Sequence, residues 1–126
     1  MLTESTITTM LPVADAERAA RFYADALGLR RMGAGDDGTV YFEAGAGSIG
    51  LRPMPAGAQS ENTALSFEVG DLEGEISALE QRGVHFQDFE MEGLKTVNHI
   101  AELGKERAAW FADSEGNVLC LHQLIT

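Results

Sequence analysis

The sequence repeats itself: Thr9-Met10-Leu11-Pro12-Val13-Ala14-Asp15 is echoed 56 residues later by Leu65-Ser66-Phe67-Glu68-Val69-Gly70-Asp71. A repeat at fixed offset means that one supersecondary unit has been built twice, which narrows the available architectures more than any single residue does. Each copy alternates with the period of a strand and ends in Val-x-Asp, where the carboxylate can accept the free N–H groups that open a helix. Ala19, Phe22, Tyr23 and Ala26 then recur on one side, predicting a helix over 16–26 that Gly28 stops. Leu72, Ile76 and Leu79 predict a second over 72–82, with Gly83 behind it. Each helix has one apolar face that needs a sheet.

Strand patterns return after each helix, at 29–32, 39–43 and 48–52 in the first copy and at 84–86, 95–100, 107–112 and 118–122 in the second. The segment from Lys95 reads either as a strand extension or as an ordered loop, and Ser114-Glu115-Gly116-Asn117 makes a turn. The expected organisation is one domain of two modules, 6–53 and 63–123, joined by a linker over 54–62. Neither half is long enough to promise a core that stands alone. A ferredoxin-like sandwich is the generic alternative for strand-helix-strand chains of this size.

The 126 residues include 20 acids against nine Lys and Arg, a formal charge of −11. Such a field repels phosphate backbones, which makes nucleic acid a poor partner, and it suits a cationic ligand or a solvated surface. The longest apolar runs, such as 108–112, span five residues, against roughly 20 for a membrane-crossing helix. No membrane association is expected. The lone Cys120 cannot form an internal disulfide, and residues 1–9 lack the basic start and apolar centre of a secretory signal, so a cytoplasmic location is expected.

Three stretches carry a resemblance. They are Val13-Ala14-Asp15 with Arg21-Phe22-Tyr23 and Leu27-Gly28-Leu29; Leu65-Ser66-Phe67-Glu68-Val69 with Asp71-Leu72; and Phe111-Ala112-Asp113-Ser114-Glu115-Gly116-Asn117-Val118. Together they resemble the vicinal oxygen chelate superfamily, the glyoxalase, bleomycin-resistance and extradiol-dioxygenase group. The resemblance implies an α+β fold of paired βαβββ modules forming a curled mixed sheet around a cleft, and a homodimer. It also implies a divalent metal held by two histidines and two glutamates from the first and last strand of each module. Carried onto this chain, those positions fall on Thr8 and Ala64 for the histidines and on Leu51 and Cys120 for the glutamates. All four ligands are changed, so no metal and no cofactor is expected.

With Thr8, Leu51, Ala64 and Cys120 taken as inward, alternation adds Met10, Ile49, Ser66, Glu68, Val118 and His122 to the same surface. That set is mainly apolar with sparse polar groups, which suits a small organic molecule better than a bare ion. Glu68 reads either as the partner of a cationic group or as a solvated strand end. Cys120 reads as a small apolar residue or as a thiol that needs a base nearby. Trp110 offers stacking against a planar ligand or core packing, and His99 could donate to a ligand oxygen at the cleft mouth.

The leading expectation is metal-free binding, and sequestration, of a partly apolar organic ligand. The alternative is a divergent lyase, isomerase or dioxygenase with an acid-base site or a non-standard metal site drawn from His99, Glu102, Cys120 and His122. A third reading is an interaction module whose cleft is filled by its own side chains.

Overall fold

The computed structural model describes residues 1–125 and divides them into two compact units, one ending at Gln59 and one beginning at Ser60. In the first, β1 (Thr8–Val13) leads to α1 (Ala16–Arg21), which continues as a π-helical turn (Phe22–Ala26) before β2 (Arg31–Ala34), β3 (Val40–Ala44) and β4 (Gly47–Pro53). Asp15 opens α1 by accepting the Arg18 N–H at 3.0 Å. Gly28, at φ 71°, turns the chain out of the helix in a conformation that a side chain would resist. The predicted helix over 16–26 is therefore helical throughout, with a wider final turn.

The four strands form one sheet in the order β1-β4-β3-β2, with β1 parallel to β4. Its helix-facing side is buried and includes Leu11, Val13, Val40, Phe42, Ile49 and Leu51. The helix meets it with Ala19, Ala20, Ala26 and the ring of Tyr23, whose centroid lies 6.0 Å from that of Phe42. Small residues on the helix let it approach the sheet closely.

The second unit begins the same way and then elaborates. After β5 (Thr63–Glu68), Asp71 accepts the Gly74 N–H at 3.1 Å and opens α2 (Leu72–Gln81), which buries Leu72, Ile76 and Leu79. Five strands follow: β6 (Glu90–Met91), β7 (Leu94–Val97), β8 (Ile100–Leu103), β9 (Glu106–Ala112) and β10 (Val118–Leu124). Their order is β5-β10-β9-β8-β7-β6, with β5 parallel to β10.

Two strand expectations are corrected here. Residues 84–86 form no strand; a single bridge from Phe86 to Phe111 anchors them, with Val84 and Phe86 buried. The 95–100 segment is neither one strand nor a loop but a hairpin. Asn98 (φ 52°) and His99 (φ 71°) form its two-residue turn, closed by the Val97–Ile100 pair. Two consecutive left-handed residues match the natural twist of a tight hairpin.

The expected curled sheet around a cleft is also corrected. The strands make two separate open sheets, the first ending on β1 and β2 and the second on β5 and β6. The hydrogen-bond ladders run inside each module. Four and six strands also fall short of the roughly eight at which a small barrel closes around its side chains.

On the helix side of the second sheet, Arg107 grips Glu73 of α2 with two hydrogen bonds of 2.7 Å, while Gln123 accepts the Leu72 N–H at 2.9 Å. The guanidinium holds the Glu73 carboxyl at about 2, well below its usual 4.5. Because folding lowers this value, the pair supports the fold fully above about 4.5 and loses that support as pH falls toward 2. Glu73 is exposed to water, so the effect is modest. Arg107→Met is expected to lower the unfolding midpoint in urea at pH 7, with the difference from the parent shrinking steadily below pH 4.5. A difference independent of pH would contradict the pairing.

Candidate functional site

Residues paired directly across a ladder point to the same face. In the second sheet, Cys120 pairs with Ser66 on β5 and Trp110 on β9, and His122 pairs with Glu68 and Ala108. All of them lie on the face away from α2. Ser66 and Glu68 are exposed there, whereas Leu119, Leu121 and Phe111 point to the helix side and are buried. The sequence pattern placed Ala64, Ser66, Glu68, Val118, Cys120 and His122 on one face; the structure brings Ser66, Glu68, Val118, Cys120 and His122 together there, while a register shift skips Ala64 and sets Thr63 across from Val118. Trp110, whose face alternation left open, joins them.

The polar groups of this face form a chain. Ser66 Oγ lies 2.6 Å from His122 Nδ1, and His122 Nε2 faces Glu68 Oε1 at 3.7 Å. Trp110 Nε1 donates to Thr63 Oγ1 at 3.2 Å, and its ring stands edge-to-face with Phe89 at 5.6 Å between centroids. Thr63 is a contact that sequence reasoning missed, although it precedes Ala64 on the same strand. Cys120 is 5% exposed and donates to the Leu121 carbonyl at 3.4 Å. Burial pushes its thiol up, against a smaller opposing pull from a Ser66 hydrogen bond. It is a packed thiol, not a ready thiolate.

The first sheet corrects part of the expected surface. Thr8, Met10 and Pro12 pair with Ser48, Gly50 and Arg52, whereas Thr9 and Leu11 pair with Ile49 and Leu51. Ile49 and Leu51 therefore lie on the helix side, buried, and not beside Thr8 and Met10. The cause is one residue. Four residues separate the paired Glu43 and Ser48, but five separate the equivalent Ala112 and Val118. The turn before β10 is one residue longer than the turn before β4, so an offset constant on one side of it fails on the other. A one-residue slip exchanges the faces of a strand. The position answering Cys120 is Gly50, not Leu51.

Gly50 lies beneath Met10 and Tyr41: an added Cβ would stand 2.8 Å from Met10 Sδ and 3.0 Å from Tyr41 Cε1. Thr8 Oγ1 and Ser48 Oγ are hydrogen-bonded at 2.9 Å. Tyr41, Ser48 and Gly50 are the members of this face that sequence reasoning missed. The strand pairs that flank each turn, Glu43–Ser48 and Ala112–Val118, are what reveal them.

His99 lies elsewhere. It occupies the hairpin corner, with Nδ1 2.9 Å from Asp88 Oδ1 and Nε2 3.3 Å from Glu80 Oε2 on α2. It borders a groove of about 850 Å³ between α2 and the β7–β8 hairpin, which Glu102 also lines. This is the helix side of the sheet, opposite Cys120 and His122, so the four groups considered for a non-standard metal site are not gathered. No cluster of three or more His, Cys, Asp or Glu side chains suited to a metal ion occurs among the described residues. The carried-over ligand positions do not fit one either. Thr8 offers a hydroxyl already bonded to Ser48, Ala64 and Gly50 offer no donor, Cys120 offers a buried thiol, and Met10 with Tyr41 overhangs Gly50.

The sequence profile of the Glyoxalase/Bleomycin resistance protein/Dioxygenase superfamily matches residues 7–121. Comparison with curated protein sequences gives no significant match. Among solved structures, TnmS3, an antibiotic binding protein from Streptomyces sp. CB03234, superposes with a TM-score of 0.76 at 24% identity, covering 98% of each chain. A glyoxalase/bleomycin resistance protein from the same organism gives a TM-score of 0.70 at 25% identity, over 94% of this chain and 100% of that one. Lactoylglutathione lyase from Agrobacterium tumefaciens gives 0.73 at 15% identity, over 98% and 96%. No helix among the described residues is long and apolar enough to cross a membrane.

Proposed function

Since the chain belongs to the Glyoxalase/Bleomycin resistance protein/Dioxygenase superfamily, we propose that it binds a small, partly apolar organic molecule on the open face of its second sheet, with no metal ion. The observation that carries this reading is the composition of that face. Trp110 supplies apolar and polarisable surface, while Ser66, Glu68 and His122 supply a few placed polar groups. Sites for organic ligands combine an apolar lining with a small number of orienting polar atoms. Glu68 fits a cationic substituent on the ligand. The likeness to an antibiotic binding protein supports an antibiotic-like molecule as the ligand class, and sequestration then follows from binding alone.

Trp110 is the only tryptophan of the chain, so its fluorescence reports directly on this face. Protein treated exhaustively with chelator is expected to show saturable quenching when titrated with polycyclic aromatic antibiotics. Trp110→Ala, followed by calorimetry, is expected to weaken binding about tenfold, the scale of one lost aromatic contact. Quenching that disappears with chelation and returns with added zinc or manganese would refute the metal-free reading.

A further inference from the structure

We propose that Ser66 is a nucleophile that accepts acyl groups from aryl esters, with His122 as its base and Glu68 as a positioning residue. The inference shares the face assigned above to ligand binding but adds covalent chemistry that binding alone does not require.

Strand register creates the arrangement. Ser66 and Glu68 are next-but-one neighbours on β5, so they share a face, and the parallel pairing of β5 with β10 sets His122 directly across from Glu68. From there the imidazole reaches Ser66 with one ring nitrogen, 2.6 Å from Oγ, and Glu68 with the other, at 3.7 Å. A carboxylate beside Nε2 favours the tautomer that carries its proton there. Nδ1 is then the acceptor, and the short contact is the Ser66 hydroxyl donating to it. A hydroxyl bonded to an imidazole whose far nitrogen is oriented by a carboxylate is the arrangement that activates serine nucleophiles on unrelated folds. At 3.7 Å the Nε2–Glu68 separation is longer than a hydrogen bond, and such contacts often tighten only once substrate is bound.

Two nucleophiles stand side by side on this face, and exposure separates them. Ser66 is open to solvent, whereas Cys120 is 5% exposed. The Trp110 ring on the same face favours an aromatic leaving group.

The step balances without a further reagent. Ser66 Oγ attacks the ester carbonyl carbon and its proton passes to His122 Nδ1. The bond from that carbon to the aryloxy oxygen breaks, and the phenol leaves with the proton. Water then attacks the acyl carbon, gives a proton to Nδ1, and Ser66 Oγ departs and recovers it.

The test uses the intact chain and 4-nitrophenyl acetate. The expected result is release of nitrophenol with a mass gain of one acetyl group, mapped by peptide sequencing to Ser66. Ser66→Ala abolishes the adduct. His122→Ala slows acylation at least about 100-fold, the scale of losing a general base, and added imidazole restores part of the rate. Glu68→Gln slows acylation about tenfold with the ester's KM unchanged, and Glu68→Asp restores part of the rate, a kcat-only pattern that a merely structural carboxylate would not give. An acetyl group found on lysine, His122 or Cys120, or an unchanged rate in Ser66→Ala, overturns the proposal. The fluorescence titration separates the two readings. Quenching without acylation of Ser66 removes this inference alone, and acylation without quenching removes the binding proposal alone.

Discussion

Replacing Phe111 with alanine is expected to destabilise the protein by about 3–5 kcal/mol, the usual range for emptying an aromatic site in a packed interior. Phe111 is fully buried on the helix side of β9, and its ring meets that of Phe86 edge-on, 5.3 Å apart. Its backbone also makes the single bridge that ties residues 84–86 to the sheet. The loss therefore combines transfer of a large apolar group, a cavity, and a weakened anchor for the segment leading into the β6–β8 extension. Against a typical total of about 5–15 kcal/mol, this is enough to unfold much of the population. Urea denaturation followed by circular dichroism measures it, and Phe111→Leu, which keeps most of the volume, is expected to cost much less. A loss below about 1 kcal/mol in Phe111→Ala would mean that the site collapses freely, contrary to the packing described.

Asp113→Ala is expected to cost about 3 kcal/mol by a different route, since two buried donors lose their acceptor at roughly 1–3 kcal/mol each. Asp113 and Asn117 are 6% and 2% exposed, and Asp113 Oδ1 accepts the N–H groups of Glu115 and Asn117 at 2.8 Å each. Its Oδ2 accepts from the Asn117 side chain at 2.9 Å. One carboxylate thus shapes the whole turn before β10. Asp113→Asn keeps one oxygen acceptor and is expected to fall between the parent and alanine. Urea melts rank the three proteins, and the rate of Cys120 alkylation checks whether β10 has loosened. Equal stability of Asp113→Ala and parent would show that water replaces the carboxylate without penalty.

Much of this architecture is written locally. Asp15 and Asp71 announce helix starts because an acceptor is needed wherever four N–H groups stand free, and both side chains do this work. Alternation through β5 and β10 was sufficient to collect Ser66, Glu68, Cys120 and His122, because the one register shift of that ladder falls before Leu65 and Leu119 and leaves the period of two intact beyond it. What sequence could not supply was parity across a turn. Val118 and Ser48 answer one another only when the pairs that flank each turn are known, and those pairs are long-range facts. The β7–β8 hairpin was hidden for a related reason. Asn98 and His99 both adopt left-handed backbone, a state that Asn tolerates and His seldom declares in advance. The hydrogen bonds of the open face are a further step removed, since the Ser66–His122 contact joins residues 56 apart.

The extra residue in the corner before β10 bears on how the two halves could have diverged from a common ancestor. The longer corner absorbs that residue, so both final strands keep their oily letters inward, Ile49 and Leu51 in one copy and Leu119 and Leu121 in the other. Only a gap-free comparison of the two copies sets core letters against open-face letters. With one column opened at the corner, core meets core and the shared backbone plan is restored.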